Sequence, residues 1–179
     1  TETFVSIRVD IDNWRWAGVP FYLRTGKRLP SKCSEVVVYF TNPELNLFKD
    51  SYTELPQNKL TIRLQPDAGV ALEILNKVPG LDHKHKLQTT KLDLSFSETF
   101  NQSHLADAYE RLLLETMRDI QALFVRRDEV EAAWTWVDSI VEAWAVDGEG
   151  AKPYQAGTWG PVASVAMITR DGRSWNEFE

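Results

Sequence analysis

Leu60-Thr61-Ile62-Arg63-Leu64-Gln65-Pro66-Asp67-Ala68-Gly69-Val70-Ala71-Leu72-Glu73-Ile74 decides the fold class. Leu60, Ile62 and Leu64 alternate with Thr61, Arg63 and Gln65, the two-residue period of a strand with one buried face. Pro66 to Gly69 supplies turn chemistry, and Val70, Leu72 and Ile74 resume the alternation, so the stretch predicts an antiparallel hairpin. Upstream, Val5, Ile7, Val9 and Ile11 alternate with Ser6, Arg8, Asp10 and Asp12, and Val36 to Phe40 is a short β-branched run ended by Asn42-Pro43. Downstream, Leu92, Leu94 and Phe96 alternate with Lys91, Asp93 and Ser95.

Beyond about residue 100 the period changes to three and four. Leu105, Ala108, Tyr109, Leu112, Leu113, Met117 and Ile120 predict one amphipathic helix; Val130, Ala133, Trp134, Val137, Ile140, Val141 and Trp144 predict another. On those stripes Trp134 and Trp144 are expected in the core, because large aromatics bury much area, whereas Trp136 falls off the stripe and is expected at a surface or interface. Asp128 with Glu131 reads as a capping-box start, and Pro161 suits the first position of a last short helix. Strands first and helices afterwards predict an α+β fold, a large mainly antiparallel sheet with helices packed on one face. The 179 residues fit one domain spanning 1–179.

The net charge of −6 disfavours nucleic acid and anionic membrane as partners, since phosphate backbones are held by basic faces. A single cysteine, Cys33, permits no intrachain disulfide and agrees with a reducing compartment; beside a strand it reads as a small packing residue. Without a long apolar run or signal pattern, a soluble cytoplasmic protein is expected. Thr1 is not an initiator and a strand pattern follows at once, so the chain is expected to be an excised piece.

No GxGxxG turn or GxxxxGK[ST] loop occurs, so neither a dinucleotide fold nor a phosphate loop is supported. His83 and His85 lack further ligands at metal-site spacing and read as loop residues, as does His104 as a capping or surface residue; no metal is expected. Between Asp12 and Glu35 there is no acidic residue, yet Arg15, Arg24, Lys27, Arg28 and Lys32 cluster there. Gly26 admits close approach of a ligand to backbone, and Pro30 stiffens the step toward Lys32. Two ammonium groups on such a bend can converge on a phosphate dianion. A solvated turn, its charges paired with other surface groups, is the competing reading.

The run Trp14-Arg15-Trp16-Ala17-Gly18-Val19-Pro20-Phe21-Tyr22-Leu23-Arg24-Thr25-Gly26-Lys27-Arg28-Leu29 resembles the signature W-x-GVPFY-x-R-[ST]-GK-x-L of the glucose-6-phosphate dehydrogenase family. Ile62 to Pro66, Leu92 to Leu94, Asp107 to Leu112, Phe124 to Glu129 and Tyr154 to Pro161 resemble further blocks of that family in the same order, covering essentially the whole chain. The resemblance implies the C-terminal, substrate-side portion of a bacterial member, with the N-terminal Rossmann coenzyme domain absent from this chain. It further implies oxidation of glucose 6-phosphate to 6-phosphogluconolactone with NADP in the pentose phosphate pathway, the coenzyme and the catalytic histidine belonging to the other portion. Lys27 and Lys32 match the positions that contact the sugar phosphate, and Gln65 matches a substrate-side glutamine, although a polar residue on the open strand face is an equal reading of Gln65. Self-association as a homodimer or homotetramer through the sheet is also implied. Some members hold a second, structural NADP; Arg63 and Asp93 match that site, but Cys33, Val37 and Trp159 depart from it, so no cofactor is expected on this chain.

Overall fold

The structure, a computed structural model, describes residues 2–80, 86–100 and 107–176. In chain order the elements are β1 (Phe4–Asp10), β2 (Pro20–Gly26), β3 (Ser34–Tyr39), β4 (Lys59–Gln65), β5 (Gly69–Lys77), β6 (Leu87–Ser95), α1 (Phe96–Thr99), α2 (Ala108–Met117), α3 (Arg127–Asp147) and α4 (Val162–Thr169). The α+β reading holds, with every strand pairing antiparallel. The strands form two sheets, β1-β2 and β3-β4-β5-β6. They lie in two compact units: Thr1–Pro30 with His104–Trp175, and Ser31–Ser103 with Asn176–Glu179.

In the first unit, β2 was not foreseen. Its register sets Val9 opposite Phe21 and Ile7 opposite Leu23, so apolar cross-strand pairs hold the segment. Helix α4 buries Ser164 and Ile168. The Ser164 and Ser6 hydroxyls lie 3.0 Å apart, and the Trp175 indole N–H donates to the Ser164 carbonyl at 3.2 Å. After α4, Asp171 accepts from the Tyr22 hydroxyl and from the Arg8 guanidinium at 3.0 Å, tying that segment to both strands.

Helix α2 starts at Asp107, whose backbone N–H donates to Glu110 at 3.2 Å. Helix α3 starts two residues before the expected Asp128: Arg126 is extended, and its N–H donates to Glu129 at 3.0 Å. The acid-at-the-third-position logic survives with different residues, because Asp128 and Glu131 sit inside the helix. Gly148 ends α3 in the left-handed region at φ 71°, a conformation that glycine adopts without steric cost. Pro161 stands one position earlier than expected, at the N-cap, its carbonyl accepting from Ser164 N–H at 2.9 Å.

Trp134 and Trp144 are not core residues of this chain. They are 61% and 41% exposed, and α2 and α3 carry no buried residue. The helical stripe is present, but among the described residues no element covers it. Trp136 is exposed, as its position off the stripe suggested.

In the second unit the pairing series Val36–Ile62–Val70–Leu94 and Val38–Leu60–Leu72–Leu92 sets one apolar face. The other face is polar, with Lys59 bridging Glu73 at 2.9 Å and Asn176 donating to Glu35 at 2.7 Å. Thr61 and Ala71 are buried on that polar side. Arg63 on β4 reaches over β5 to Asp93 on β6, making bonds of 3.0 and 2.6 Å. Gly69 makes this crossing possible: a Cβ there would stand 2.7 Å from Arg63 Nη2 and would collide with the Leu94 carbonyl.

Candidate functional site

Lys27 follows directly on β2, and the main chain around it is fixed at three successive groups. Its own N–H donates to the Thr3 carbonyl at 2.8 Å, continuing the β1-β2 ladder by one step. Its carbonyl accepts from the Tyr154 hydroxyl at 2.7 Å. The next carbonyl, that of Arg28, accepts from Gly157 N–H at 2.8 Å. Arg28 has φ 51°, an uncommon left-handed value for a residue with a side chain. Gly26 is required by packing, since a Cβ would lie 2.7 Å from the Phe4 ring. Lys27 is exposed, and among the described residues its ammonium forms none of the ion pairs.

The second unit carries the other two expected site residues. Lys32 is exposed two positions before β3 begins. Gln65 is exposed at the end of β4, paired in register with Ser34. Lys32 and Gln65 therefore flank the same end of the β3-β4 pair, while Lys27 belongs to the first unit.

Sequence reasoning assigned no role to Tyr154, Trp175 or the side chain of Arg24. The Arg24 guanidinium lies 5.1 Å from the Trp159 ring centroid and 4.5 Å from that of Trp175, a cation between two π faces. Trp159, one of the positions that depart from the second-nucleotide-site pattern, thus has a partner of its own. Only the family blocks around residues 24 and 159 hinted at the pairing, since Trp175 lies outside them.

Arg63 and Asp93 hold each other. The bidentate hydrogen bond from Arg63, aided by Lys91, lowers the Asp93 carboxyl to about 2 from 3.8. A folded value below the unfolded one means that the pair stabilises the fold above about pH 3.8 and that this contribution is lost as pH falls through about 2. The two side chains are 26% and 39% exposed, so screening limits the cost of Asp93→Asn to about 1 kcal/mol. We expect the urea midpoint of the variant to fall below wild type at pH 7 and the gap to narrow toward pH 2. An equal gap at both values would show that charge is not its source.

Cys33 is half-buried, its sulfur 3.9 Å from the Ser31 hydroxyl. Among the described residues no group of three or more metal-ligating side chains occurs, and no helix is long and apolar enough to cross a membrane. His83, His85 and His104 lie outside the described residues.

Comparison with known proteins agrees with this architecture over nearly the whole chain. The chain is 85% identical over its full length to the glucose-6-phosphate 1-dehydrogenase of Dickeya dadantii and 52% identical over 177 residues to that of Rhizobium meliloti, spanning 36% of the length of each. A solved glucose-6-phosphate dehydrogenase in complex with its substrate glucose 6-phosphate superposes with a TM-score of 0.81 at 31% identity, over 98% of this chain and 35% of that one. The enzyme from Mycobacterium avium does so with a TM-score of 0.79 at 32% identity, over 100% of this chain and 36% of that one. A family model described as "Glucose-6-phosphate dehydrogenase, C-terminal domain" matches residues 1–176, and the chain belongs to that family.

Proposed function

We propose that this chain is the sugar-phosphate-anchoring, C-terminal part of a longer enzyme that oxidises glucose 6-phosphate to 6-phosphogluconolactone with NADP in the pentose phosphate pathway. The observation that carries the anchoring role is Lys27: an exposed ammonium on a main chain fixed at three consecutive groups. The backbone share of the ordering cost is thereby met before an anion binds, so more of the interaction energy reaches the complex. Lys32 supplies the second positive charge and Gln65 a neutral hydrogen-bonding group. Each would add to the hold on the phosphate end of the hexose, with C1 left to be placed for reaction by the rest of the enzyme.

The residues of this chain do not fit the coenzyme. It has no glycine-rich strand-to-helix turn, and its two polar residues nearest in pattern to a second nucleotide site, Arg63 and Asp93, are engaged with one another. NADP binding and the catalytic base are therefore assigned to the portion outside this chain, and the reading keeps one substrate-side domain over residues 1–179 in a soluble, cytoplasmic protein.

The reading is tested by assay of the full-length protein and of this chain alone. The first should form NADPH from glucose 6-phosphate and NADP; the second should form none. NADPH formation by the isolated chain would overturn the division of labour.

A second role, contact between copies as a homodimer or homotetramer, is favoured by the polar face of the four-stranded sheet. Its charges are already paired within the sheet, as in Lys59–Glu73 and Arg63–Asp93, so a facing copy would strand few unmatched ions. Sedimentation of the full-length protein reports the state directly, and a monomer at all concentrations would exclude it.

A further inference from the structure

We infer that Tyr154 is a positioning residue for Lys27, setting the phosphate-facing turn through its hydroxyl; the inference rests on the anchoring role of Lys27 proposed above. Tyr154 lies in the block Tyr154 to Pro161, which the proposed reaction otherwise leaves without a task. Its hydroxyl donates to the Lys27 carbonyl at 2.7 Å, with the Thr3 carbonyl as a second, longer acceptor at 3.1 Å. Its ring packs against Phe4, centroids 5.4 Å apart and planes tilted by 56°, so the phenol is aimed by packing as well as by its hydrogen bond. Three residues on, Gly157 N–H takes the Arg28 carbonyl. One loop therefore satisfies two consecutive carbonyls of the lysine turn.

The turn needs such a restraint. A regular continuation of β2 would pair these groups with β1, but Arg28 has left the strand for φ 51°, a departure that costs free energy and persists only where the surroundings over-determine it. The carbonyl of Lys27 and its Cα belong to adjoining atoms of one residue, so fixing the carbonyl fixes the direction in which the lysine side chain leaves the backbone. The Tyr154 hydroxyl is engaged by backbone carbonyls, so it acts through the lysine.

Tyr154→Phe keeps the ring against Phe4 and removes only the donor. In the full-length enzyme we expect KM for glucose 6-phosphate and the competitive inhibition constant of inorganic phosphate to rise together, by about three- to tenfold, the scale of one neutral hydrogen bond. The values of kcat and KM for NADP should be unchanged, and a general loosening of the fold would move those as well. In a Lys27→Ala background the same substitution should have no further effect on either phosphate constant, because residues acting as one unit are not additive. Unchanged phosphate constants in Tyr154→Phe, beside a large rise in Lys27→Ala, would overturn the positioning role alone. A full additional effect in the Lys27→Ala background would overturn it too, by showing action on some other group. Unchanged constants in Lys27→Ala would instead remove the anchoring role on which it rests.

Discussion

Lys27→Ala in the full-length enzyme should lower kcat/KM for glucose 6-phosphate by about ten- to a hundredfold, the kinetic equivalent of losing a hydrogen bond to a charged group worth about 1.5–3 kcal/mol. Lys32→Ala should act in the same direction, and the double variant should show how far the two cations share one phosphate, since groups on a common anion are coupled. Folding should change little. Both side chains are exposed, and substitutions at such positions usually stay within about 0.5 kcal/mol. Steady-state kinetics with urea unfolding of the same samples separates the two effects. Wild-type kinetics in both single variants would return the segment to the competing reading of a solvated turn.

Gly160→Ala should be the most destabilising single methyl in the first unit, by about 2–5 kcal/mol, combining backbone strain with overpacking. The residue has φ 102°, and a Cβ built there collides with the Phe4 ring. The ring has little room to retreat. Its Cδ2 would also lie 2.7 Å from a Gly26 Cβ, and the ring packs on Tyr154. Displacing Phe4 therefore disturbs the lysine turn as well, so KM for glucose 6-phosphate should rise along with the loss of stability. Phe4→Leu in the same molecule should recover part of the midpoint by giving the methyl space. A loss below about 1 kcal/mol, the lower end of the overpacking range, would show that the Phe4 ring is not closely held.

The alternating strands announced themselves because one sheet face is apolar and the other polar. Thr61, Arg63 and Glu73 against Ile62, Leu64 and Leu72 need no tertiary knowledge to be sorted. β2 escaped for a local reason. Phe21 and Leu23 carry the same alternation, but Pro20 and Gly26 bound the segment, and such punctuation outweighs two apolar positions. Helix ends slipped by one or two positions where acids stand close together, as in Asp128, Glu129 and Glu131, each a candidate to take a free amide hydrogen.

The tryptophans show a different limit. Spacing fixes which face of α3 Trp134 and Trp144 share; it does not say what lies over that face, and within the described residues nothing does. At the candidate site, residue type and neighbourhood singled out Lys27 and Lys32, and only the family resemblance singled out Gln65. The bonds that hold the lysine turn were not legible. Tyr154 is 127 residues from Lys27, and no local pattern links a phenol to a distant carbonyl.

Among the attachments that moor the segment after α4 to β2 are two of unlike chemistry. One runs through Asp171, whose carboxyl is held below its usual range chiefly by the Tyr22 hydroxyl and further by Arg8; strong acid neutralises it. The other is the Arg24 cation against the Trp175 indole, and guanidinium keeps its charge throughout the accessible pH range. Acidification consequently strips the anionic mooring first and leaves the aromatic one.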